Sequence, residues 1–381
     1  GFWELRTGDD LSWAAWPEGA DAEKLAETYL AAAKPPVGKA IPRRRGRGRP
    51  SPRTLGQAVI EGAEHVKAPE GTWVLWYRKP ARRWEEALPV GNGRMGAMVF
   101  GGIDVERIQF NEDSLWTGQP QDYQHPGAAQ HLPEVRKLLF AGKQREAERL
   151  AGREMMSVPL RQEYYQPFGD LNLAFPGHLK VTGYRRELDL DEAVARVRYT
   201  ANGVTYTREV LASHPDQAIV VRIVSDKPGE LAFDAALTSP HAEADMVRIS
   251  DDTLALRGRV TQKSGTGTES RLRFEAHLKV RVRGGAATIA NDKVSIAGAN
   301  AATLILTAAT SYVSYQDISA DPKARCEAVL AKLGDKPYDA IRRDHVADHQ
   351  GLFRRVALDL GTTDATAKET DQRVADFKGG D

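Results

Sequence analysis

The sequence predicts a mainly β protein: a large antiparallel β-sandwich, supersandwich-like, with one helical insertion and a helical linker after it. Three observations predict this fold class. Short runs of strand character recur from Trp73 to Tyr312, and Gly, Pro, Asn and Asp punctuate them at regular intervals. From Trp73 onward helical periodicity is confined to two stretches, so strands and helices do not alternate as a parallel α/β sheet requires.

The elements follow in order. Residues 1–70 read as a leader unlike the rest. Asp21 to Ala33 predicts one short helix, with Leu25, Tyr29 and Leu30 on a face and Pro35-Pro36 ending it. The tract from Pro42 to Pro50 is Arg- and Gly-rich and too poor in apolar residues to pack, so it reads as disordered. Residues 71–316 carry the strand runs: Trp73–Tyr77, Ala97–Phe100, Arg107–Asn111, Leu171–Phe175, Tyr184–Asp189, Ala195–Thr200 and Val204–Ala212. They continue at Ala218–Val224, Leu231–Leu237, Met246–Ser250, Thr253–Val260, Leu272–Arg283, Lys293–Ala297 and Ala302–Tyr312. Arg196 to Thr200 alternates cleanly, and Asn202-Gly203 is a hairpin-turn pair. Pro133 to Met156 has helical spacing in Val135, Leu138, Leu139, Ala147 and Leu150 and predicts a single helical insertion. Residues 317–381 predict a helical linker, helical from about Asp321 to Arg355 with a break near Gly334 to Pro337, that leaves the sandwich behind.

Bulk properties exclude several classes. The 53 basic and 52 acidic residues nearly cancel, so no global field favours nucleic acid or an anionic membrane. The lone cysteine, Cys326, excludes an internal disulfide framework. No stretch approaches the roughly 20 apolar residues of a membrane span. The chain starts at Gly1 with no basic-then-apolar segment and ends on a turn-like Lys378-Gly379-Gly380-Asp381, and it reads as a fragment.

Four motifs invite functional readings that their context opposes. Gly91-Asn92-Gly93-Arg94-Met95-Gly96 matches the dinucleotide fingerprint, but a strand-like run follows where a helix N-terminus is needed. It predicts a glycine-rich turn between strands. His345 and His349 stand four apart on a predicted helix, yet Val346 replaces the glutamate of the zinc-protease motif and no third ligand is apparent. The arginine tract lacks interleaved aromatics and a folded basic partner. Glu85-Glu86 are adjacent and point apart, whereas glycosidase carboxylates face each other across roughly 5 to 9.5 Å. No cofactor and no metal are expected.

The segment Asn111-Glu112-Asp113-Ser114-Leu115-Trp116-Thr117-Gly118 differs in kind. It gathers an amide, carboxylates, hydroxyls and an indole directly after a strand, as sugar recognition requires. A structural turn with Trp116 buried in the sandwich has the same composition, and both readings stand at this point.

The same residues carry a resemblance. Leu75 to Ala81, Trp84 to Gly102 and Ile108 to Gly118 resemble the opening of family 95 glycoside hydrolases, the α-L-fucosidase family. The likeness continues through Gln166 to Leu171, Tyr184 to Leu190, Ser213 to Gln217, Asp348 to Val356 and Thr370 to Arg373, and covers about residues 73 to 381 in order. It implies an N-terminal β-sandwich and helical linker leading to an (α/α)6 catalytic barrel that this chain does not contain. It also implies inverting hydrolysis of terminal α-L-fucosyl or α-L-galactosyl linkages on oligosaccharides. The family's catalytic groups belong to the barrel, so no catalytic residue is expected here. Asn92 and Arg94 in the glycine-rich turn, and Asn111, Glu112, Asp113 and Trp116 in the loop, are the candidate substrate-binding residues. Interdomain packing is the rival role for all of them, and the favoured one for Arg94 and Asp113. The expected partners are the fucosylated oligosaccharide and the protein's own barrel, without nucleic acid or membrane, in a secreted or periplasmic parent. The alternative function is a non-catalytic carbohydrate-binding or structural sandwich.

Overall fold

The computed structural model describes residues 58–263, 267, 269–290 and 292–377; the helix expected at Asp21–Ala33 and the arginine tract lie outside them. The first strands are β1 (Val59–Glu61), β2 (Val74–Tyr77), β3 (Leu88–Gly91), β4 (Met95–Val99) and β5 (Val105–Glu112). Helices α1 (Ala128–Phe140) and α2 (Gln144–Glu154) precede β6 (Gly169–Ala174), β7 (Lys180–Asp189), β8 (Val194–Ala201), β9 (Val204–Ser213) and β10 (Ala218–Ser225). Then come β11 (Leu231–Thr238), β12 (Asp245–Arg248), β13 (Thr253–Arg259), β14 (Arg273–Arg283), β15 (Ala286–Ala290), β16 (Lys293–Ala299) and β17 (Ala301–Thr310). Helices α3 (Pro322–Leu333), α4 (Tyr338–Phe353) and α5 (Thr370–Asp376) follow.

These strands form two sheets. A ten-stranded sheet runs β1-β7-β8-β9-β10-β17-β14-β13-β12, with β2 also paired to β7, and a seven-stranded sheet runs β15-β16-β11-β6-β5-β4-β3. Every run named from the sequence contains a strand, so the sandwich class holds. Alternation explains the packing: the inward positions of each strand meet those of the facing sheet in one apolar core, including Ile108, Phe110, Leu171, Tyr199, Val221, Phe274 and Leu304. Each such fully buried aliphatic or aromatic side chain contributes about 1.5–3 kcal/mol.

Three expectations are corrected. Strand β1 falls within residues 1–70, because Val59–Glu61 pairs in parallel with Lys180–Thr182 of β7. The single helical insertion is a helical hairpin, reversed at Gly142, whose φ of 73° permits the tight turn. Helices α3 and α4 do not leave the sandwich. Leu333 and Ile341 close over Val194, Leu211, Val220 and Ile305 on the outer face of the ten-stranded sheet. His345 and His349 each bond a backbone carbonyl of the β7–β8 turn, Glu192 at 3.0 Å and Leu190 at 2.8 Å, and Arg354 pairs with Asp191 there. Helix α5 returns to the sheet edge, where Thr370 accepts from the Trp76 amide and Asp371 pairs with Lys79.

The inward face of β5 reads Glu106, Ile108, Phe110, Glu112, with two apolar residues between two buried carboxylates. Glu106 is engaged by Arg208 of β9 in the opposite sheet and accepts the Gly101 amide at 2.9 Å and the Arg107 amide at 3.0 Å. Tyr184 donates to the Gly101 carbonyl at 2.6 Å, so the turn between β4 and β5 is fastened to the ten-stranded sheet. Such a pair loses stability sharply when one member is removed, because the other is left charged and dry.

An aromatic cluster lies beside Arg208. His178 accepts or donates at 3.0 Å to the Tyr199 hydroxyl and packs on Phe175 and Tyr206. Burial, aided by the Arg208 charge, pushes its pKa down to about 4 from 6.5. The native state therefore resists a proton that the unfolded chain accepts, so stability falls as the pH drops from about 6.5 to about 4. Replacing His178→Phe removes this contribution. The urea midpoint of the variant should change less between pH 7 and pH 4.5 than that of the parent; equal changes would refute the assignment.

Candidate functional site

The far end of β5 builds the candidate site. The β3–β4 hairpin is closed by Asn92-Gly93-Arg94. The Asn92 side chain accepts the Met95 amide at 2.8 Å and the Arg94 amide at 3.2 Å, and donates to the Ser213 carbonyl at 3.1 Å. Gly93 sits at φ 88°, which a glycine tolerates best. The glycine-rich motif is thus a turn between strands, as read from the sequence.

Arg94 reaches across the sandwich. Its guanidinium donates to the carbonyls of Ala308 and Gln217 and to the Gln217 side chain, all in the ten-stranded sheet or its turn, and lies 3.5 Å from Glu112. Glu112 is buried and accepts the Ser114 amide at 2.9 Å and hydroxyl at 2.7 Å. Burial pushes its carboxyl above the usual range, while the Ser114 bonds and Arg94 oppose the shift. Asn111, near the end of β5, is half-buried, and its side chain accepts the Glu112 amide at 3.1 Å. The structure therefore brings Asn92, Arg94, Asn111 and Glu112 together as the frame of the loop, each held by hydrogen bonds within the chain.

Asp113 and Trp116 face outward instead. Trp116 is 43% exposed, which corrects the buried-turn reading. Its indole N–H donates to the Asp113 carbonyl at 2.9 Å and its ring packs on Tyr165 at 5.4 Å, so it is exposed yet held. The two residues border a cavity of about 420 Å³ that is also lined by Leu272, Ile318, Tyr312 and Tyr315. Glu163 crosses the cavity wall and accepts the Thr117 hydroxyl at 2.7 Å and the Gln121 amide at 3.0 Å. Gln121 also donates to the Tyr123 hydroxyl at 2.6 Å.

Sequence reading missed Tyr123, Glu163, Tyr312 and Tyr315, which arrive from separate segments. A signal existed in Ser311-Tyr312-Val313-Ser314-Tyr315, where two tyrosines stand among small polar residues directly after the last strand. The other sequence candidates are structural. His345 and His349 bond the β7–β8 turn, and Glu86 caps the Arg82 amide and pairs with Arg83.

Gly118 sets how closely Glu163 can lie. A methyl group there would stand 2.3 Å from the Glu163 carboxyl carbon, at a φ of 87°. Gly118→Ala should cost about 1–3 kcal/mol, read as a lower urea midpoint; an unchanged midpoint would show that the loop shifts freely.

The family model described as glycosyl hydrolase family 65, N-terminal domain, matches residues 75–315. Alpha-L-fucosidase 2 of Arabidopsis thaliana is 34% identical over 336 residues, covering 80% of this chain and 39% of that protein. "Probable alpha-fucosidase A" of Aspergillus niger is 28% identical, covering 74% of this chain and 36% of that protein. Its namesake in Aspergillus oryzae is 25% identical, covering 80% of this chain and 43% of that protein. The chain thus spans less than half the length of each of these relatives. The matching model is that of family 65, where the sequence resemblance named family 95; an N-terminal glycoside-hydrolase domain is common to both.

Proposed function

The chain belongs to the family of glycosyl hydrolase family 65 N-terminal domains, and from that premise we propose that it is the non-catalytic sandwich of an enzyme that hydrolyses terminal α-L-fucosides. The fucoside activity is supported by the names of its relatives and by the family 95 resemblance read from the sequence. The stereochemistry proposed with it is inversion.

The observation that carries the non-catalytic reading is the state of the carboxylates around the groove. Inversion needs a carboxylic acid to protonate the leaving oxygen and a base, roughly 6.5–9.5 Å away, to activate water on the opposite face. Glu112 is buried beneath Ser114 and Arg94. Glu163 accepts bonds from Thr117 and Gln121. Asp113 and Asp122 are exposed; Asp122 accepts the Gln124 amide at 2.8 Å, and the Asp113 carboxylate has no hydrogen bond or ion pair with the described residues. No buried carboxyl that faces the groove with its acid group open to a ligand is among them, and the matching family model is that of an N-terminal domain, which together support bond cleavage in another part of the full-length protein.

In this reading Asn92, Arg94, Asn111 and Glu112 shape the substrate side of the domain from behind, and Asp113 and Trp116 stand at its surface. The test is hydrolysis of an aryl α-L-fucoside by this chain and by the full-length protein. The expected result is turnover by the full-length protein alone. Turnover by this chain would place catalytic carboxylates within it and overturn the proposal.

A further inference from the structure

The groove has properties that a supporting domain does not need. Water-facing aromatic side chains ordinarily move among rotamers, and ordering them costs conformational entropy. Here the Trp116 indole is fixed by its own N–H bond and by Tyr165, and the Tyr123 hydroxyl is fixed by Gln121. Rigid aromatics beside rigid acceptors are pre-organised, and pre-organisation raises affinity by removing an ordering cost from binding.

The shape is elongated. The cavity bordered by Trp116 shares Pro120, Gln121, Tyr123 and Tyr315 with a second, more open depression that extends to Gln124 and Gln316. The charge is one-sided. Among the described residues, those lining the two depressions include the carboxylates of Asp113, Glu163 and Asp122, and no lysine or arginine. A ligand for such a cleft carries no negative charge, is longer than one sugar ring, is apolar on its faces and is rich in hydroxyl donors at its edges.

We propose that the cleft of Trp116, Tyr123 and Tyr315 binds the neutral oligosaccharide that carries the fucosyl group, rather than the fucosyl group itself. Pyranose C–H faces stack on the indole and phenol rings, and ring hydroxyls donate to Asp113 and Glu163. The cleft thereby selects the glycan that is presented for cleavage. The inference rests on the glycosidase reading for the class of ligand, but it needs no turnover to be tested.

The experiment is isothermal titration calorimetry of this chain with lacto-N-tetraose, cellotetraose, L-fucose and trigalacturonic acid. At least one neutral tetrasaccharide should bind, L-fucose should not compete with it, and the anionic trimer should not bind. Trp116→Ala and Tyr315→Ala should each weaken binding about five-fold or more. Tyr315 is 73% exposed, so its replacement leaves the fold intact even if that of Trp116 does not. Phe140→Ala, at the 89% exposed tip of α1, should leave binding unchanged. Failure of both tetrasaccharides, competition by L-fucose, equal binding of the anionic trimer, or indifference to the Tyr315 change would overturn the inference. A full-length protein that hydrolyses the aryl fucoside while this chain binds neither tetrasaccharide would leave the proposed function standing and remove only this one.

Discussion

Strand β5 carries a buried carboxylate at each end, and an arginine ties each one to the ten-stranded sheet. Glu106 meets Arg208 from the opposite sheet, and Glu112 meets Arg94, whose guanidinium continues to Ala308 and Gln217 of that sheet. Apolar contact alone is non-directional and would let two large sheets slide. Charged hydrogen bonds are directional and costly to leave unmade, so they fix where the sheets sit relative to each other. The parity of β5 makes this possible: Glu106 and Glu112 are both at inward positions, with Ile108 and Phe110 filling the core between them.

The two ends then serve different purposes. At the Glu106 end, Tyr184 and Arg208 close the β4–β5 turn against the ten-stranded sheet. At the Glu112 end the chain departs into the loop that displays Trp116. Ser114, held by Glu112, also meets the Thr310 hydroxyl at the end of β17, close to the segment that carries Tyr312 and Tyr315. The two walls of the groove are therefore tied to one buried carboxylate. This is why four of the six candidate residues read from the sequence are framework while two face the groove.

Most of the fold was legible because inward and outward positions alternate along the strands. The exceptions have local causes. Strand β3 contains Pro89, which lacks a donor and is tolerated because β3 is an edge strand. Strand β15, Ala286 to Ala290, is too poor in β-branched and aromatic residues to announce itself. Pro133 reads as a helix start, yet α1 begins at Ala128 and accommodates the proline in its interior. The site was legible only in its local half. Trp116 and its loop are contiguous in sequence, whereas Glu163 and Tyr315 join them only through the fold. The partnership of Arg94 and Glu112 needed the hairpin register that sets Met95 opposite Glu112.

The claim that a single buried clamp positions the groove is tested most directly by amide hydrogen exchange on Arg94→Met. The account predicts faster exchange across residues 113–118, where the Asp113 amide bonds the Arg94 carbonyl and the Thr117 amide bonds Tyr164, with β10 and β17 protected as before. Unchanged protection across 113–118 would contradict it, and so would equal loss throughout both sheets.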